Sequence, residues 1–265
     1  MQVVVAVKDL PAAKSRLAPT LDEPQRSELV LAMLTDTVAA ALRSPAVAVV
    51  RVVTSDPTVS ELARAAGASV VGDPTNTLNE AFAHAAAGLD ASAPVLALPG
   101  DLPALHPAEL TAAVVAAGGR RAAVADAAGT GTTMLLAPAG ASLDPRFGPR
   151  SAAAHAASGA VLLPGSWPGL RGDVDTVADL GAAVRAGLGA ATADLLDRGG
   201  IPATVAAHAG GVVELRADDG ALLRCSATAA ELGGWRQLRP GQRVRVHVDG
   251  AGAVYLLTAA ITAPG

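Results

Sequence analysis

One segment of the chain reads Val95-Leu96-Ala97-Leu98-Pro99-Gly100-Asp101-Leu102-Pro103. Its first four residues are continuously apolar, which is typical of a strand that is buried on both faces of a sheet. Gly100 and two prolines then form a stiff turn, which places Asp101 at the carboxyl edge of that sheet. Ligands of open α/β sheets bind at this edge. Asp101 is therefore a candidate metal ligand, and it lies too early to cap the helix predicted from Pro107.

The same kind of apolar run recurs along the first two hundred residues and alternates with helical patterns. This alternation predicts an α/β fold with a mostly parallel sheet. The predicted strands are Val3–Val7, Val47–Val53, Ser69–Val71, Val95–Leu98, Ala122–Ala125, Met134–Ala137 and Val161–Leu163. The predicted helices are Glu23–Leu42, Thr58–Ala66, Leu78–Ala87 and Pro107–Ala117, with shorter ones at Ala152–Ala157 and from Val177.

The pattern changes after Arg198, where Gly199-Gly200 and Pro202 interrupt the chain. The segments that follow are short, flanked by glycine and rich in β-forming residues. They predict a second domain over residues 201–265, separate from a first domain over residues 1–198. Four or five strands in about sixty residues favour a small all-β barrel of the OB type. Its predicted strands are Gly211–Arg216, Leu222–Cys225, Arg243–Val248 and Ala253–Leu257.

Composition excludes several classes of protein. The chain has 265 residues, 51% of them hydrophobic, and a single cysteine, which cannot form an internal disulfide. Mean hydropathy is +0.40, but no apolar run reaches the length of about 20 residues that a spanning helix needs. We therefore expect a soluble cytoplasmic protein without a membrane partner. The net charge of −4 gives no positive field for nucleic acid, which we do not expect as a partner.

A cluster of cations follows the first predicted strand. Lys8, Lys14 and Arg16 lie within nine residues of one another, in a loop at the carboxyl end of that strand. Fixed ammonium and guanidinium groups are what recognition of a triphosphate requires. The alternative is a solvated basic loop. Neither a Walker motif nor G-x-G-x-x-G is present, which weakens the P-loop and dinucleotide-binding interpretations.

A second acidic segment reads Arg171-Gly172-Asp173-Val174-Asp175-Thr176. In an extended segment, residues two apart face the same way, so the two carboxylates would repel each other. A divalent cation removes that repulsion, and Mg2+ is commonly bound by a few carboxylates together with phosphate oxygens. A helix cap at Asp175 or Thr176 would explain only one of these side chains. Together with Asp101, the pair favours a metal site.

Two further segments offer donors for a small anion. Gly129-Thr130-Gly131-Thr132-Thr133 supplies glycine backbone and hydroxyl groups. Arg146-Phe147-Gly148-Pro149-Arg150-Ser151 leads into a predicted helix whose amino terminus attracts phosphate or carboxylate. The alternative for Ser151 is a simple helix cap.

These motifs, in this order and spacing over residues 1 to about 198, resemble the guanylyltransferases that join GTP to phosphoenolpyruvate or 2-phospho-L-lactate for coenzyme F-420. The resemblance implies a nucleotidyltransferase fold of the GT-A-like, Rossmann-like type, Mg2+ as cofactor, transfer of GMP and release of pyrophosphate. It implies that Asp101, Asp173 and Asp175 hold the metal, and that Thr132, Gly148 and Ser151 bind phosphoenolpyruvate. A later transferase of that pathway is an implied partner.

The catalytic set expected from these motifs is Asp101, Asp173, Asp175, Lys14 and Arg16, with Lys8 as a further ligand of the GTP phosphates. The attacking phosphate is already anionic, so no general base is expected. The acceptor stays open among phosphoenolpyruvate, which we favour, 2-phospho-L-lactate and 3-phospho-D-glycerate. A sugar-nucleotide glycosyltransferase, a molybdenum-cofactor-type nucleotidyltransferase and an RNA-binding module remain as alternatives. The loop Asn76–Asn79 is a guess for guanine recognition.

The tail is similar to small cold-shock-like proteins, notably at Leu238-Arg239-Pro240-Gly241-Gln242-Arg243-Val244. Trp235 and Tyr255 are its only aromatic residues, so the platform on which such proteins stack bases is missing. Stacking contributes about 1–3 kcal/mol per base. We therefore interpret the tail as a structural or interaction domain.

Overall fold

The computed structural model of the chain describes residues 1–7, 10, 14–74 and 77–260. Its first sheet has seven strands in the order β3-β2-β1-β4-β6-β5-β7. β6 runs antiparallel to β4 and β5, and the other pairs are parallel. The predicted, mostly parallel sheet is therefore confirmed. The strands are β1 (Gln2–Ala6), β2 (Val49–Val53), β3 (Ser69–Val71), β4 (Val95–Pro99), β5 (Ala122–Ala125), β6 (Thr132–Ala137) and β7 (Val161–Leu162).

Helices cover both faces of this sheet. Along β1, Val3 and Val5 belong to one core with Leu34, whereas Val4 belongs to a second core with Phe82. Successive side chains of a strand point to opposite faces, so a continuous apolar run is what two covered faces require. The helices are α1 (Glu23–Arg43), α2 (Pro57–Ala65), α3 (Leu78–Ala87), α4 (Pro107–Ala117), α5 (Ser151–Ala157), α6 (Pro168–Arg171), α7 (Val177–Ala186) and α8 (Ala190–Gly199), with a 3-10 turn at Ser15–Leu17.

The pairing of β1 with β4 brings two of the predicted site segments to one edge. Ala6 at the end of β1 lies opposite Pro99 at the end of β4. The loop that contains Lys14 and the turn that contains Asp101 therefore leave the sheet side by side. Gly100 makes this close approach possible, since a Cβ at this position would lie 2.8 Å from Cγ2 of Val7.

The second sheet has five strands, all antiparallel, in the order β10-β9-β8-β11-β12. A short helix, α9 (Ala227–Leu232), follows the third of these strands in the chain. The sheet has its own apolar core, which includes Val205, Leu215 and Val246. Its strands are β8 (Ile201–Ala209), β9 (Val212–Ala217), β10 (Leu222–Ser226), β11 (Arg243–Val248) and β12 (Val254–Ala259).

This second sheet packs against α7 and α8. The Arg245 guanidinium donates hydrogen bonds of 2.9 and 3.0 Å to the two carboxylate oxygens of Asp197. Arg185 on α7 donates to the backbone oxygen of Leu232 at 2.6 Å. Leu256 of β12 is fully buried and belongs to the apolar core of the first sheet. The core of the first sheet therefore extends onto β12 of the second sheet through Leu256.

Several elements were not predicted: the strand β8, the helices α6, α8 and α9, and the 3-10 turn. The strand β8 begins beside Gly200 and Pro202, residues that sequence patterns associate with breaks. Helix α8 has no local side-chain cap, and the Asp36 carboxylate of α1 instead accepts hydrogen bonds from its first N–H groups, Ala191 N at 2.9 Å and Thr192 N at 2.8 Å.

Within the described residues, no helix is both long and apolar enough to cross a membrane.

Candidate active site

Asp101 lies in the turn after β4, as the sequence predicts. The hydroxyl of Thr37 accepts a hydrogen bond from Leu102 N at 3.1 Å, and the backbone oxygen of Asp101 accepts one from Val174 N at 3.2 Å. These bonds fix the turn and tie it to the second acidic segment. The Oδ1 atom of Asp101 is buried and has no hydrogen-bond partner among the described residues.

Lys14 occupies the centre of the site. It has a left-handed backbone conformation, with φ of 56°, and begins the 3-10 turn that Leu17 anchors in the core. Its ammonium donates to Oδ2 of Asp101 and, at 2.8 Å, to Oδ1 of Asp175. Burial lowers the pKa of Lys14, but the two carboxylates outweigh it and hold the pKa above its ordinary value. Lys14 is therefore a fixed cation.

Arg16 lies farther out than Lys14. Its Nη1 donates to Oδ2 of Asp175 at 3.3 Å, and 72% of its side chain is exposed. The guanidinium is therefore tethered at one point and is otherwise in solvent. Lys8 lies outside the described residues, so its expected contact with the GTP phosphates stays a prediction.

Asp173 and Asp175 differ in their electrostatic environment. Burial raises the pKa of Asp173 to about 7, and the charges of Asp101, Asp175 and Asp126 act in the same direction, while Lys14 opposes them. Burial also acts to raise the pKa of Asp175, but its contacts with Lys14 and Arg16 lower it overall. Thr176 caps α7 in a capping box with Asp179, so the Asp173 and Asp175 side chains are not needed as caps.

The carboxylates do not form a ready-made metal cage. The described residues contain no group of three or more His, Cys, Asp or Glu side chains arranged to hold an ion. Lys14 instead bridges Asp101 and Asp175. The donor set nevertheless fits a hard cation, because Oδ1 of Asp101 is a buried oxygen without a partner and Asp173 is held among negative charges. Carboxylate oxygens of this kind are the ligands that Mg2+ takes.

The glycine–threonine loop is organised by Asp126, which the sequence analysis did not select. Its two carboxylate oxygens accept hydrogen bonds from Thr130 N and Gly131 N, each at 2.8 Å. A Cβ at Gly131 would lie 2.5 Å from Oδ2 of Asp126, so a larger residue there would displace the Asp126 carboxylate. An aspartate a few residues before a glycine-rich turn is a recognisable signal for such a bond.

The segment Arg146–Ser151 lies beside this loop. Ala152 N donates to the backbone oxygen of Thr130 at 3.1 Å, which joins the two segments. Gly148 and Arg150 have positive φ values of 136° and 58°, which bend the chain into α5. Ser151 and Thr132 are buried. Ser151 is the first residue of α5 and Arg150 is its cap, so the simple-cap alternative for Ser151 is wrong.

Two side chains hold the backbone of this segment. His155 of α5 is fully buried, with Nδ1 at 2.9 Å from Oγ1 of Thr132 and Nε2 accepting from Arg146 N at 2.8 Å. Asn79 of α3 accepts from Phe147 N at 2.7 Å and donates to its oxygen at 3.0 Å. The Asn79 amide is thus engaged by the backbone, and Asn76 lies outside the described residues.

Asp126 also connects these two segments with the acidic segment. The guanidinium of Arg171, two residues before Asp173, donates to the backbone oxygen of Asp126 at 2.9 Å. The backbone oxygen of Arg171 accepts from Ala127 N at 2.8 Å. The structure therefore brings Lys14, Arg16 and the three aspartates together, and it gathers Thr132, Gly148 and Ser151 into a neighbouring region.

A comparison with protein families shows which family the chain resembles. A family model described as guanylyl transferase, CofC like, matches residues 1–158. The chain belongs to the CofC-like guanylyl transferase family. The expected family is therefore confirmed over the part of the chain that contains Lys14, Asp101 and the glycine–threonine loop.

Curated relatives extend this match beyond residue 158. A phosphoenolpyruvate guanylyltransferase of Nocardia farcinica is 50% identical over 204 residues, which cover 74% of this chain and 90% of the relative. Enzymes of the same name are 55% identical over 198 residues in Mycobacterium sp. strain KMS, covering 72% and 89%, and 53% identical over 195 residues in Salinispora arenicola, covering 72% and 91%.

A solved structure supports the fold. A protein of Desulfovibrio desulfuricans G20, provisionally assigned as a nucleotide-diphospho-sugar transferase, superposes with a TM-score of 0.58 at 18% sequence identity. The superposition covers 74% of this chain and 94% of that one. At this identity the likeness concerns the fold of the CofC-like chain alone.

Proposed function

We propose that the chain is a phosphoenolpyruvate guanylyltransferase, which transfers GMP from GTP to phosphoenolpyruvate and releases pyrophosphate. The observation that carries this proposal is the buried Lys14 ammonium, held by Asp101 and Asp175 where β1 and β4 leave the sheet. This is where ligands of open α/β sheets bind. The curated relatives, 50% or more identical, bear this name, which supports a guanine nucleotide and phosphoenolpyruvate as the substrates.

The reaction is an in-line displacement at the α-phosphorus of GTP. An oxygen of the phosphoenolpyruvate phosphate forms a new bond to that phosphorus. The bond from the same phosphorus to the oxygen bridging toward the β-phosphate breaks, and its electron pair leaves with pyrophosphate. The attacking oxygen is already an anion, so no proton has to be removed from it. Catalysis then depends on positioning and on neutralising negative charge.

Lys14 and Arg16 supply that neutralisation in different ways. Lys14 is a fixed point charge, because its ammonium is buried between two carboxylates. Arg16 is tethered only to Asp175 and is largely exposed, so it can turn toward the triphosphate without breaking a buried contact. Lys8 would add a third cation that binds the GTP phosphates.

Asp101, Asp173 and Asp175 would hold Mg2+, which supplies Lewis-acid stabilisation of the phosphoryl oxygens when it is bound. The residues fit this role because Asp101 keeps a buried oxygen without a partner among the described residues. Burial and the neighbouring carboxylates raise the pKa of Asp173, and a cation would oppose both effects. The position of Lys14 between two of these carboxylates agrees with a site that attracts positive charge.

Thr132, Gly148 and Ser151 would bind phosphoenolpyruvate. The hydroxyls of Thr132 and Ser151 offer donors to an anion, and the Asp126–Arg171 contacts hold this region next to the acidic segment. Phosphoenolpyruvate differs from 2-phospho-L-lactate and from 3-phospho-D-glycerate by small groups. Differences of this size change the relative preference for two acceptors by about 1–3 kcal/mol.

The two predicted domains keep different roles in this proposal. Residues 1–198 carry the enzyme, and residues 201–265 form an OB-like domain with a structural role. The strand order, with a helix between the third and fourth strands, supports an OB-like topology. Trp235 donates its indole N–H to the Leu257 oxygen, and the Tyr255 ring lies 6.1 Å from that of His247. Both aromatic rings are therefore engaged within the fold and do not form a stacking platform.

Product analysis tests the proposal. Purified protein is incubated with GTP, Mg2+ and the three acceptors in competition, and the products are identified by mass spectrometry. We expect enolpyruvyl-diphospho-5'-guanosine with one pyrophosphate released per product. A dominant lactyl or glyceryl product would overturn the acceptor assignment. A sugar-nucleotide glycosyltransferase would form no guanylylated product from this mixture and would release no pyrophosphate.

A further inference from the structure

His155 contacts both segments of the proposed acceptor site without lying at its surface. Its side chain is fully buried on α5. Arg146 N donates to Nε2 at 2.8 Å, so Nε2 carries no proton in this contact. In a neutral imidazole the proton is then on Nδ1. Nδ1 lies 2.9 Å from Oγ1 of Thr132, and it is therefore the donor in that hydrogen bond.

The surroundings of the ring keep it in this form. Burial lowers the pKa of His155 to about 4, the charges of Arg121 and Arg146 add to this effect, and Asp144 opposes it. The imidazole is therefore neutral near pH 7. The edge-on contact with Phe147, at 5.2 Å between ring centroids, fixes the plane of the ring. The tautomer and the orientation of His155 are thus both set by its contacts.

This tautomer determines what the Thr132 hydroxyl can do. Because Oγ1 accepts from His155, the hydroxyl proton is directed away from the histidine and stays available as a donor. Among the described residues, His155 is the hydrogen-bond partner of Oγ1, and none of them accepts the hydroxyl proton. A hydroxyl with its acceptor side occupied is a donor prepared for an anion.

The same ring also holds the second segment. Arg146 lies two residues before Gly148, and its N–H is bound by His155. The next residue, Phe147, is held through its backbone by Asn79. His155 therefore sets the distance between Thr132 on β6 and the loop that leads to Ser151.

We propose that His155 is a positioning residue, which directs the Thr132 hydroxyl and the Arg146–Ser151 segment toward the phosphorylated three-carbon acceptor. This inference rests on the proposed function, because it takes Thr132 and Ser151 as acceptor ligands. His155 itself does not touch the acceptor. Its loss should therefore weaken acceptor binding and leave GTP binding intact.

Three substitutions separate the two contacts. His155→Asn can retain a donor to Thr132, His155→Gln can retain an acceptor for Arg146 N, and His155→Leu removes both. We expect His155→Leu to raise KM for phosphoenolpyruvate about tenfold or more, the effect of losing roughly one good hydrogen bond to a charged group. KM for GTP should change less than about twofold, and His155→Asn should recover part of the loss. Exposed His84 on α3 provides the control His84→Leu, which should alter neither KM.

A double-mutant cycle with Thr132→Val tests whether His155 acts through the hydroxyl. If it does, His155→Gln, which can keep the acceptor for Arg146 N, should add little once the hydroxyl is gone, because the contact that this substitution removes is the one to Thr132. Additive effects, or equal increases in both KM values, would overturn the inference. If His155→Leu does not fold by circular dichroism, equal phosphoenolpyruvate KM values for wild type, His155→Asn and His155→Gln would overturn it as well.

The wild type distinguishes failure of this inference from failure of the proposed function. Active wild type with unchanged phosphoenolpyruvate KM in all His155 variants contradicts only the role of His155. Wild type that uses another acceptor contradicts the acceptor assignment, and the cycle is then run with that acceptor and judged in the same way. Wild type inactive with every acceptor overturns both.

Discussion

Lys14 is the side chain on which the charge balance of the site depends most. Its side chain is 10% exposed and its ammonium contacts two carboxylates, whereas the Arg16 side chain is 72% exposed and contacts one. The sequence motif indicated both Lys14 and Arg16 as phosphate ligands, but it could not indicate which of them matters more. The ranking follows from burial, since an ion pair shielded from water is coupled more strongly than an exposed one.

Replacing Lys14 should therefore be more harmful than replacing Arg16. We expect Lys14→Met to lower kcat/KM for GTP by on the order of 100-fold, similar to removing one preorganised charge stabiliser. Arg16→Met should cost less, about tenfold. Steady-state kinetics with varied GTP measure both. Equal losses in the two variants would contradict the central role assigned to Lys14.

Two buried histidines make stability depend on pH. Burial lowers the pKa of His155 and of His247 to about 4 in each case. The unfolded chain binds these protons near pH 6.5, so it holds more protons than the folded chain between about pH 6.5 and pH 4. Stability from each histidine is thus complete above pH 6.5, and it is lost as pH falls toward 4.

We expect the free energy of unfolding to fall by up to about 3 kcal/mol per histidine over that interval. The raised pKa of Asp173 acts with the opposite sign over the same interval, so the histidine contribution is measured as the difference between wild type and variant in urea unfolding from pH 7.5 to 4.5. His247→Gln should remove its share of the decline, whereas His208→Gln should not change the pH dependence, because His208 is exposed. A slope unchanged by His247→Gln would show that this ring does not contribute.

At the scale of elements, the sequence predicted what local patterns encode. Two helices, Leu78–Ala87 and Pro107–Ala117, have the predicted bounds, because their apolar spacing and their first residues are local signals. Helix α8 escaped prediction because its cap, Asp36, lies far away on α1. Asp126 and His155 were missed for a related reason: neither has a motif of its own, and their roles arise from contacts with Gly131 and Thr132.

The distant cap of α8 should contribute more to stability than a local one. We expect Asp36→Ala to cost about 1–3 kcal/mol, because it leaves Ala191 N and Thr192 N without their buried acceptor. Asp56→Ala is the matched control, since Asp56 caps α2 from the adjacent position, where such a loss typically costs about 1 kcal/mol. Urea unfolding provides both values. An equal or smaller cost for Asp36→Ala would contradict the importance of the α1–α8 contact.

At the scale of the whole molecule, the two sheets share apolar packing. Leu256 of β12 lies in the core of the first sheet, and the Arg245–Asp197 pair binds β11 to α8. The sequence indicated a change of pattern near residue 199. It gave no sign of this contact, because a separate domain and a docked one have the same local composition.

Shared packing predicts a single unfolding transition. The two tryptophans report separately, since Trp167 packs with the first core and Trp235 with the second. In Trp167→Phe and Trp235→Phe variants, the fluorescence midpoints in urea should coincide. Leu256→Ala should lower the stability by about 2–5 kcal/mol and separate the two midpoints. Separate midpoints already in the parent variants would show that the two sheets unfold independently.

The central claim is that Lys14 and the three aspartates carry out guanylyl transfer, and Asp173→Asn tests it most directly. Pyrophosphate release is measured with GTP, phosphoenolpyruvate and saturating Mg2+. We expect wild type and the surface control Asp194→Asn, exposed on α8, to release pyrophosphate at similar rates. Asp173→Asn should lose on the order of 100-fold or more. Undiminished turnover in Asp173→Asn would contradict the site.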